Sequence, residues 1–445
     1  MIRGFFAILF VFALAACADM PFELPELPKL PGFTASDAEE SVPFAELEAR
    51  AKAGDARAQY RLGLRYDAGN EVAKDPVKAV AWFRKSADQG YRRAQYQLGV
   101  AYDSGHGVAE NPVRAVLLYR KAAEQDYARA QYRLGRAYED GRGVATDPAK
   151  AASWYQKAAD NGHIEAQYRL GLAFENGDGV SRDAARAAVY FGKAAEQGHT
   201  TAQYRLGVAY NTGRGVKKDP QRATKWFRKA AEQGDAAAQY RLGIAYNIGR
   251  GVKENPAVAV GWFRKAAAQG YAKAHYRLGI AYSEARGVER DRAWGALWYR
   301  RAARLGEARA QFSLGLATAR GIGVPKDPVE AYKWLELSAD DGYKRAVPAR
   351  DELAATLDKA QIAEAKRRAF AWSPSDPEPF PDAAAVRFAQ YTLARLGHTP
   401  GTVDGVPGPR TATALKAFQR DVGIAADGRL TPAVLERLRA AQPDK

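Results

Sequence analysis

An all-α fold, a solenoid of eight helix pairs followed by a small three-helix domain, is what this sequence predicts. Three observations predict it: a phrase that recurs every 36 residues without insertion, an apolar stripe at helical spacing inside each copy, and a change of character beyond residue 383. The phrase Ala58-Gln59-Tyr60-Arg61-Leu62-Gly63 returns with Gln95, Gln131, Gln167, Gln203, Gln239, His275 and Gln311 in the place of Gln59. A period held over eight copies marks a solenoid, in which each unit buries its apolar face against the next. At 445 residues the chain exceeds one ordinary core, and a hydrophobic content of 47% argues for a folded chain.

Within a copy, Ala58, Leu62 and Tyr66 form an i, i+4, i+8 stripe on the first helix. Gly63, Gly99, Gly135 and Gly171 stand where a side chain would collide with a closely packed neighbouring helix. Gly-x-Gly-Val, as at Gly105, Gly107 and Val108, supplies the positive φ of a helix exit. Asp75-Pro76, Asn111-Pro112, Asp147-Pro148 and Asp219-Pro220 then start second helices, with the acid or amide as cap and proline in the first turn. A bulky pair follows on the second helix (Trp82-Phe83, Trp154-Tyr155, Trp226-Phe227, Trp262-Phe263), and Gly90 and its equivalents close the turn.

This pattern, Ala-x-x-x-Leu-Gly, Gly-x-Gly-Val, Asp, Ala, Trp-Tyr/Phe-x-Lys-Ala-Ala and Gly, resembles the Sel-one-like repeat, a relative of the tetratricopeptide repeat. It covers residues 56 to about 345. Asn70-Glu71 replaces the second glycine, Ala184 and Arg292 replace proline, and Asp126 replaces a turn glycine. The resemblance implies a right-handed superhelix that acts as an adaptor for other proteins. The repeat solenoid is placed at 44–346, with residues 43–53 reading as a lone second helix ahead of the first copy. Capping helices are placed at 347–371, where Leu353, Leu357 and Ile362 are expected to cover the last repeat.

The amino-terminal end carries Arg3, an apolar run from Phe5 to Ala16, and one cysteine, Cys17. Residues 1–16 read as a signal peptide, too short to be a stop-transfer helix. Leu14-Ala15-Ala16-Cys17 resembles the bacterial lipobox, which implies diacylation of Cys17 and anchoring of the mature chain in a membrane through that lipid. The alternative is an ordinary secretory signal that happens to end in cysteine. Ala18, rather than aspartate, follows Cys17; by resemblance to sorting signals this favours the periplasmic face of the outer membrane. Residues 17–43 hold five prolines and read as an extended linker, with a reach of at most about 80 Å in a polyproline conformation.

A second proline-rich linker, 372–382, leads to a domain at 383–445. Val386, Ala389, Leu393 and Leu396 give it a first amphipathic helix, Ala414, Leu415 and Phe418 a second, and Leu435 and Leu438 a third that begins at Thr431-Pro432. Between them stand Leu396-Gly397, Pro400-Gly401-Thr402-Val403-Asp404-Gly405, Gly408-Pro409-Arg410-Thr411, Phe418-Gln419, Gly423-Ile424 and Asp427-Gly428. The string closely resembles the three-helix peptidoglycan-binding module often appended to cell-wall hydrolases. The resemblance implies peptidoglycan as a partner, with Arg410, Thr411, Gln419, Asp404 and Gly405 as candidate contacts. Taken singly, most of these glycines and Asx residues read as turn formers. Arg410 is suited to a bidentate hydrogen bond with a stem-peptide carboxylate.

No catalytic motif emerges. There is no Gly-x-Ser-x-Gly elbow, no His-Glu-x-x-His and no serine with lysine three residues on. The five histidines lie far apart, and the four within the repeats (His106, His163, His199 and His275) read as standing at different repeat positions, so they offer no metal ladder, and no cofactor is implied. A formal net charge of +16 favours acidic partners, and without a recognition motif nucleic acid is not expected. Arg133, Arg169, Arg205, Arg241 and Arg277 recur at one repeat position, each preceded by tyrosine, as in Tyr168, Tyr204 and Tyr240. Stacked repeats would align them into a ladder for an acidic protein partner. The alternative is that the tyrosines pack between repeats and the arginines are solvated. The whole reads as a non-catalytic, lipid-anchored envelope scaffold. Other readings are an adaptor recruiting a cell-wall hydrolase or synthase, a hydrolase with an unrecognised site, or a surface-exposed factor that engages host proteins.

Overall fold

The stripe and the caps become helix pairs, copy by copy. The protein is described by a computed structural model over residues 42–374, 383–401, 403 and 408–441. The first pair is Ala56–Ala68 and Pro76–Asp88, and the eighth is Ala308–Arg320 and Pro328–Asp340. Among the described residues every regular element is a helix. Cys17, Asp404, Gly405 and most of both proline-rich segments lie outside the described residues.

The second helices begin alike. Asp75, Asn111, Asp147, Asp183, Asp219, Asn255, Asp291 and Asp327 each accept a backbone N–H of the first turn through the side chain. The capping role read from Asp-Pro therefore holds even where Ala184 or Arg292 follows in place of proline. Substituted glycine positions keep the left-handed backbone, with φ of 62° at Glu71, 57° at Asp126 and 60° at Ala285.

Two compact units are distinguished, dividing between Glu110 and Asn111. In the first, the helix Phe44–Lys52 lays Leu47 and Ala51 against Ala58 and Leu62 of the first repeat, as a lone second helix would. The close packing of the first repeat's own two helices is dictated by Gly63, where a Cβ would stand 2.6 Å from the Phe83 ring.

In the second unit the same contact recurs, for instance 2.6 Å between a Cβ built on Gly171 and the Phe191 ring. Successive repeats are joined by a different glycine. A Cβ on Gly215, where φ is +73°, would overlap the carbonyl of Ala184, the first residue of the preceding repeat's second helix. Only a residue without a side chain lets the turn of one repeat sit on the helix start of the one before.

Buried amides add a second tie that the sequence pattern did not disclose. Gln167 Nε2 donates to the carbonyl of Ala159, in the last turn of the preceding repeat's second helix (3.2 Å). Its Oε1 accepts from Gln197 Nε2, at the end of its own repeat's second helix (2.7 Å). Gln203 with Gln233 and Gln239 with Gln269 repeat the arrangement. Each amide is desolvated with both ends paired, the condition under which a buried polar group is stabilising. The series changes at His275, whose ring instead donates to Tyr271 of its own helix start, and the C-cap partner becomes Leu305. One repeat on, Asp341 is an acceptor rather than a donor, and Gln311 Oε1 is buried without a partner.

Beyond the last repeat, the helix Lys359–Phe370 packs on Pro328–Asp340. Ala365 and Ala369 are its buried residues, and Trp372 meets Trp334 at 6.1 Å. The expected cover residues Leu353, Leu357 and Ile362 are only half-buried. The three-helix domain (Ala383–Arg395, Pro409–Asp421, Pro432–Ala440) has its own core of Val386, Ala389, Leu393, Leu415, Phe418 and Leu435, which continues into the core of the sixth and seventh repeats.

His163 and His199, 36 residues apart, do share a repeat position, contrary to the reading that the four repeat histidines stand at different ones. Both cap a first helix by accepting a backbone N–H at Nδ1, from Ala166 (3.2 Å) and Ala202 (3.1 Å). Burial pushes the His163 imidazole down to about 4, and burial does the same to His275. The unfolded chain protonates these rings near 6.5, so between that value and 4 it binds more protons than the folded chain. Stability from the neutral rings is therefore present above pH 6.5 and lost as the pH falls toward 4. Thermal midpoints measured by circular dichroism should fall by several degrees between pH 7 and pH 4.5. In the His163→Asn/His275→Gln variant the fall should be at most half as large, and an equal fall in both chains would contradict the assignment.

Candidate functional site

The candidate ladder is built on the first helices of the repeats. Tyr168 lies 6.0 Å from Phe191 of its own repeat and stacks on His199 at 4.5 Å. Tyr204 meets Phe227 at 5.9 Å, and Tyr240 meets Phe263 at 6.0 Å and Tyr271 at 5.2 Å. These rings are half-buried wedges between a second helix and the start of the next repeat, which is the packing alternative for tyrosine. The phenol of Tyr271 is raised above its ordinary value, first by burial.

The arginines follow a different rule from simple solvation. Arg169 pairs with Glu165 of its own helix (3.1 Å) and with Glu139 of the preceding repeat (3.5 Å). Arg205 pairs with Glu175 (2.7 Å), again one repeat back, and Arg214 reaches the same carboxylate at 3.3 Å. Hydrogen bonding from His199 and then Arg169 lowers the Glu165 carboxyl below its ordinary range. Arg133 and Arg241 are exposed, and Arg277 is half-buried with its Nε desolvated. Tyr204, Arg205 and Arg241 do converge: with Glu175 and Arg214 they line a cleft of about 290 Å³. A cleft with three guanidinium groups and one resident carboxylate is suited to a further carboxylate.

In the three-helix domain the predicted contacts separate into two kinds. Thr411 is buried, and its hydroxyl donates to the Pro400 carbonyl (3.0 Å) while accepting from Gln390 Nε2 (3.2 Å). Gln419 is buried too; it donates to Asp427 (2.8 Å) and accepts from the Gly428 N–H (2.7 Å). Both side chains hold loops in place and so shape the surface around Arg410. The Arg429 N–H in the same loop holds the Asp427 carboxyl below its usual range. Arg410 is exposed, at the start of Pro409–Asp421, where Gly408 offers no side-chain cap to the first-turn N–H groups. Gly401, whose φ of +90° suits glycine, lies against it; the Arg410 Cβ and Cδ would be in ordinary contact, at 3.5 Å, with a Cβ at Gly401.

Among the described residues no cluster of three His, Cys, Asp or Glu side chains is placed to hold a metal ion. Among the same residues no helix is long and apolar enough to cross a membrane.

Comparison with known proteins follows the same division. Eight consecutive Sel1 repeats match residues 56–343, and the peptidoglycan binding domain family matches residues 382–438. Among solved structures, the chain is similar to a protective antigen of uropathogenic Escherichia coli strains displaying an SLR fold. The identity is 34% and the TM-score 0.55, over 75% of this chain and 80% of that one. It is also similar to a Sel1 repeat protein from Oxalobacter formigenes, at 35% identity and a TM-score of 0.53, over 71% of this chain and 91% of that one. A stretch of 46 residues is 44% identical to the secretory immunoglobulin A-binding protein EsiB of Escherichia coli O6:H1, covering 10% of this chain and 9% of that protein. The chain belongs to the Sel1 repeat family, as an all-α repeat solenoid that ends in a peptidoglycan-binding domain.

Proposed function

We propose that this protein is a non-catalytic cell-envelope scaffold. In this reading Cys17 carries a lipid that holds the chain to a membrane, the carboxy-terminal domain grips peptidoglycan, and the repeats hold a protein partner. The observation that carries it is the domain at 382–438 with Arg410 exposed beside Gly401. Two modest tethers on one chain raise the effective concentration of each, so neither has to be tight. Arg410 is the ligand contact, while Thr411 and Gln419 position the loops around it; Asp404 and Gly405 are further contacts in this reading. On the repeats, the cleft of Tyr204, Arg205 and Arg241 receives a carboxylate of an acidic partner in competition with Glu175. Arg133, Arg169 and Arg277, with Tyr168 and Tyr240, extend that surface.

Sedimentation with purified sacculi tests the first half. Arg410→Ala should weaken binding about 10-fold, the worth of one charge-assisted hydrogen-bonded contact. Equal sedimentation of the full chain and of one ending before Ala383 would remove the peptidoglycan assignment. A second reading, a surface-exposed factor that meets host proteins, is favoured by the similarity to a protective antigen and to an immunoglobulin-binding protein. Protease accessibility on intact cells separates the two.

A further inference from the structure

The residue twelve positions after the aromatic end of each first-helix stripe is a cation in most copies. It is Lys78 after Tyr66, Arg114 after Tyr102, Lys150 after Tyr138, Arg186 after Phe174 and Arg222 after Tyr210, and all five cations are exposed. Lys78, Lys150, Arg186 and Arg222 lie over those rings at 5.6, 5.5, 5.4 and 5.7 Å. In the seventh repeat the ring is Tyr282 and the cation is replaced by Trp294, which is only 2% exposed. Three residues on, Leu297 is 4% exposed, where Leu117 and Val189 at the same repeat position are 53% and 56% exposed.

The chain's own three-helix domain covers these two residues. Phe388 lies 5.1 Å from Trp294. Arg439 stands over the Tyr282 ring at 4.5 Å and so supplies from another domain the cation that Trp294 displaced. It also donates to the Glu289 carbonyl (3.0 Å) and faces Asp291 at 3.6 Å. Glu436 accepts from Arg264 Nη2 (3.1 Å) and from the Tyr282 hydroxyl (3.2 Å). Apolar contact, cation–π contact and a paired carboxylate thus coincide on one face; the first two answer the departures at Trp294 and Leu297, while Glu436 uses an Arg264–Tyr282 pair that Arg84–Tyr102, Arg120–Tyr138 and Arg228–Tyr246 also make.

We propose that the sixth and seventh repeats form a dedicated seat for the carboxy-terminal domain, which works as a fixed extension of the solenoid and not as a separately tethered module. Trp294 and Leu297 are the anchors, and Arg264, Tyr282 and Asp291 orient Glu436 and Arg439. Arg410 is not among the residues that make the seat, so the exposed edge is presented in a constant direction relative to the repeats. The seat does not depend on what that edge binds.

Hydrogen exchange on the full chain tests it. In the wild type, amides of residues 285–294 should exchange about 10-fold more slowly than those of the matching turns 213–222 and 249–258, since docking shields them. Glu436→Arg and Trp294→Lys should each abolish the difference while protection of 385–393, inside the domain's own core, is kept. The Arg264→Glu/Glu436→Arg pair should restore at least half of the protection. Equal exchange of the three turns in the wild type would overturn the proposal. So would an unchanged difference in both single variants, or loss without rescue in the exchanged pair.

Discussion

Gly215→Ala should lose about 3–4 kcal/mol of folding stability, whereas Gly162→Ala should lose only about 1. Both glycines have left-handed backbone, at φ +73° and +82°, so the intrinsic strain of adding a methyl group is similar. They differ in surroundings. Nothing lies within 4 Å of a Cβ on Gly162, whereas a Cβ on Gly215 overlaps backbone of Ala184 that no rotamer change can move aside. The helix start at Asp183–Ala184 would have to retreat, loosening the seat of one repeat on the next. Urea unfolding followed by circular dichroism measures the difference, and exchange of residues 184–216 localises it, because repeat arrays open by neighbouring units. Equal losses in the two variants would show that strain, and not the inter-repeat contact, sets the effect.

Truncating a buried amide tie comes next. Gln203 is 3% exposed and bonds Ala195 at 3.1 Å and Gln233 at 2.8 Å. Gln203→Ala removes both bonds and leaves a void, for a loss of about 3 kcal/mol. Gln233→Ala alone removes the bond to Gln203 and the one accepted from Thr200, opens no buried void, and should cost about 1–2 kcal/mol. The double variant should be less destabilised than the sum by about 1 kcal/mol, the coupling expected of residues that share a hydrogen bond. Strict additivity would mean that the tie is geometric only.

Much of this architecture could be read from residue order because it is periodic. Asp-Pro, Gly-x-Gly and the Leu62 stripe each have one local physical explanation, repeated often enough to exclude chance. The glutamine series was visible as a recurring letter, yet its role was not, since the donors Gln197 and Gln233 lie 30 residues away and carry no local signal. In the three-helix domain, Thr411 and Gln419 looked like ligand contacts because polar residues near turns do; their burial depends on where Pro400 and Asp427 fall in space. The seat on the seventh repeat had a readable sign in Trp294, at a position held by lysine or arginine in each of the first five repeats. Finding it requires comparing copies for their differences, where the search for repeats rewards their likeness.

The replacement of glutamine by His275 has a mechanical corollary. A row of repeats resists being pulled apart only as well as its weakest joint, and the joint between the sixth and seventh repeats lacks the amide tie that Gln203 and Gln239 supply to theirs. Glu436 spans that same joint, held by Arg264 on one side and Tyr282 on the other. The helix Pro432–Ala440 thus acts as a splint across the chain's own fault line, and a load that strips the splint away would open the row at that joint first.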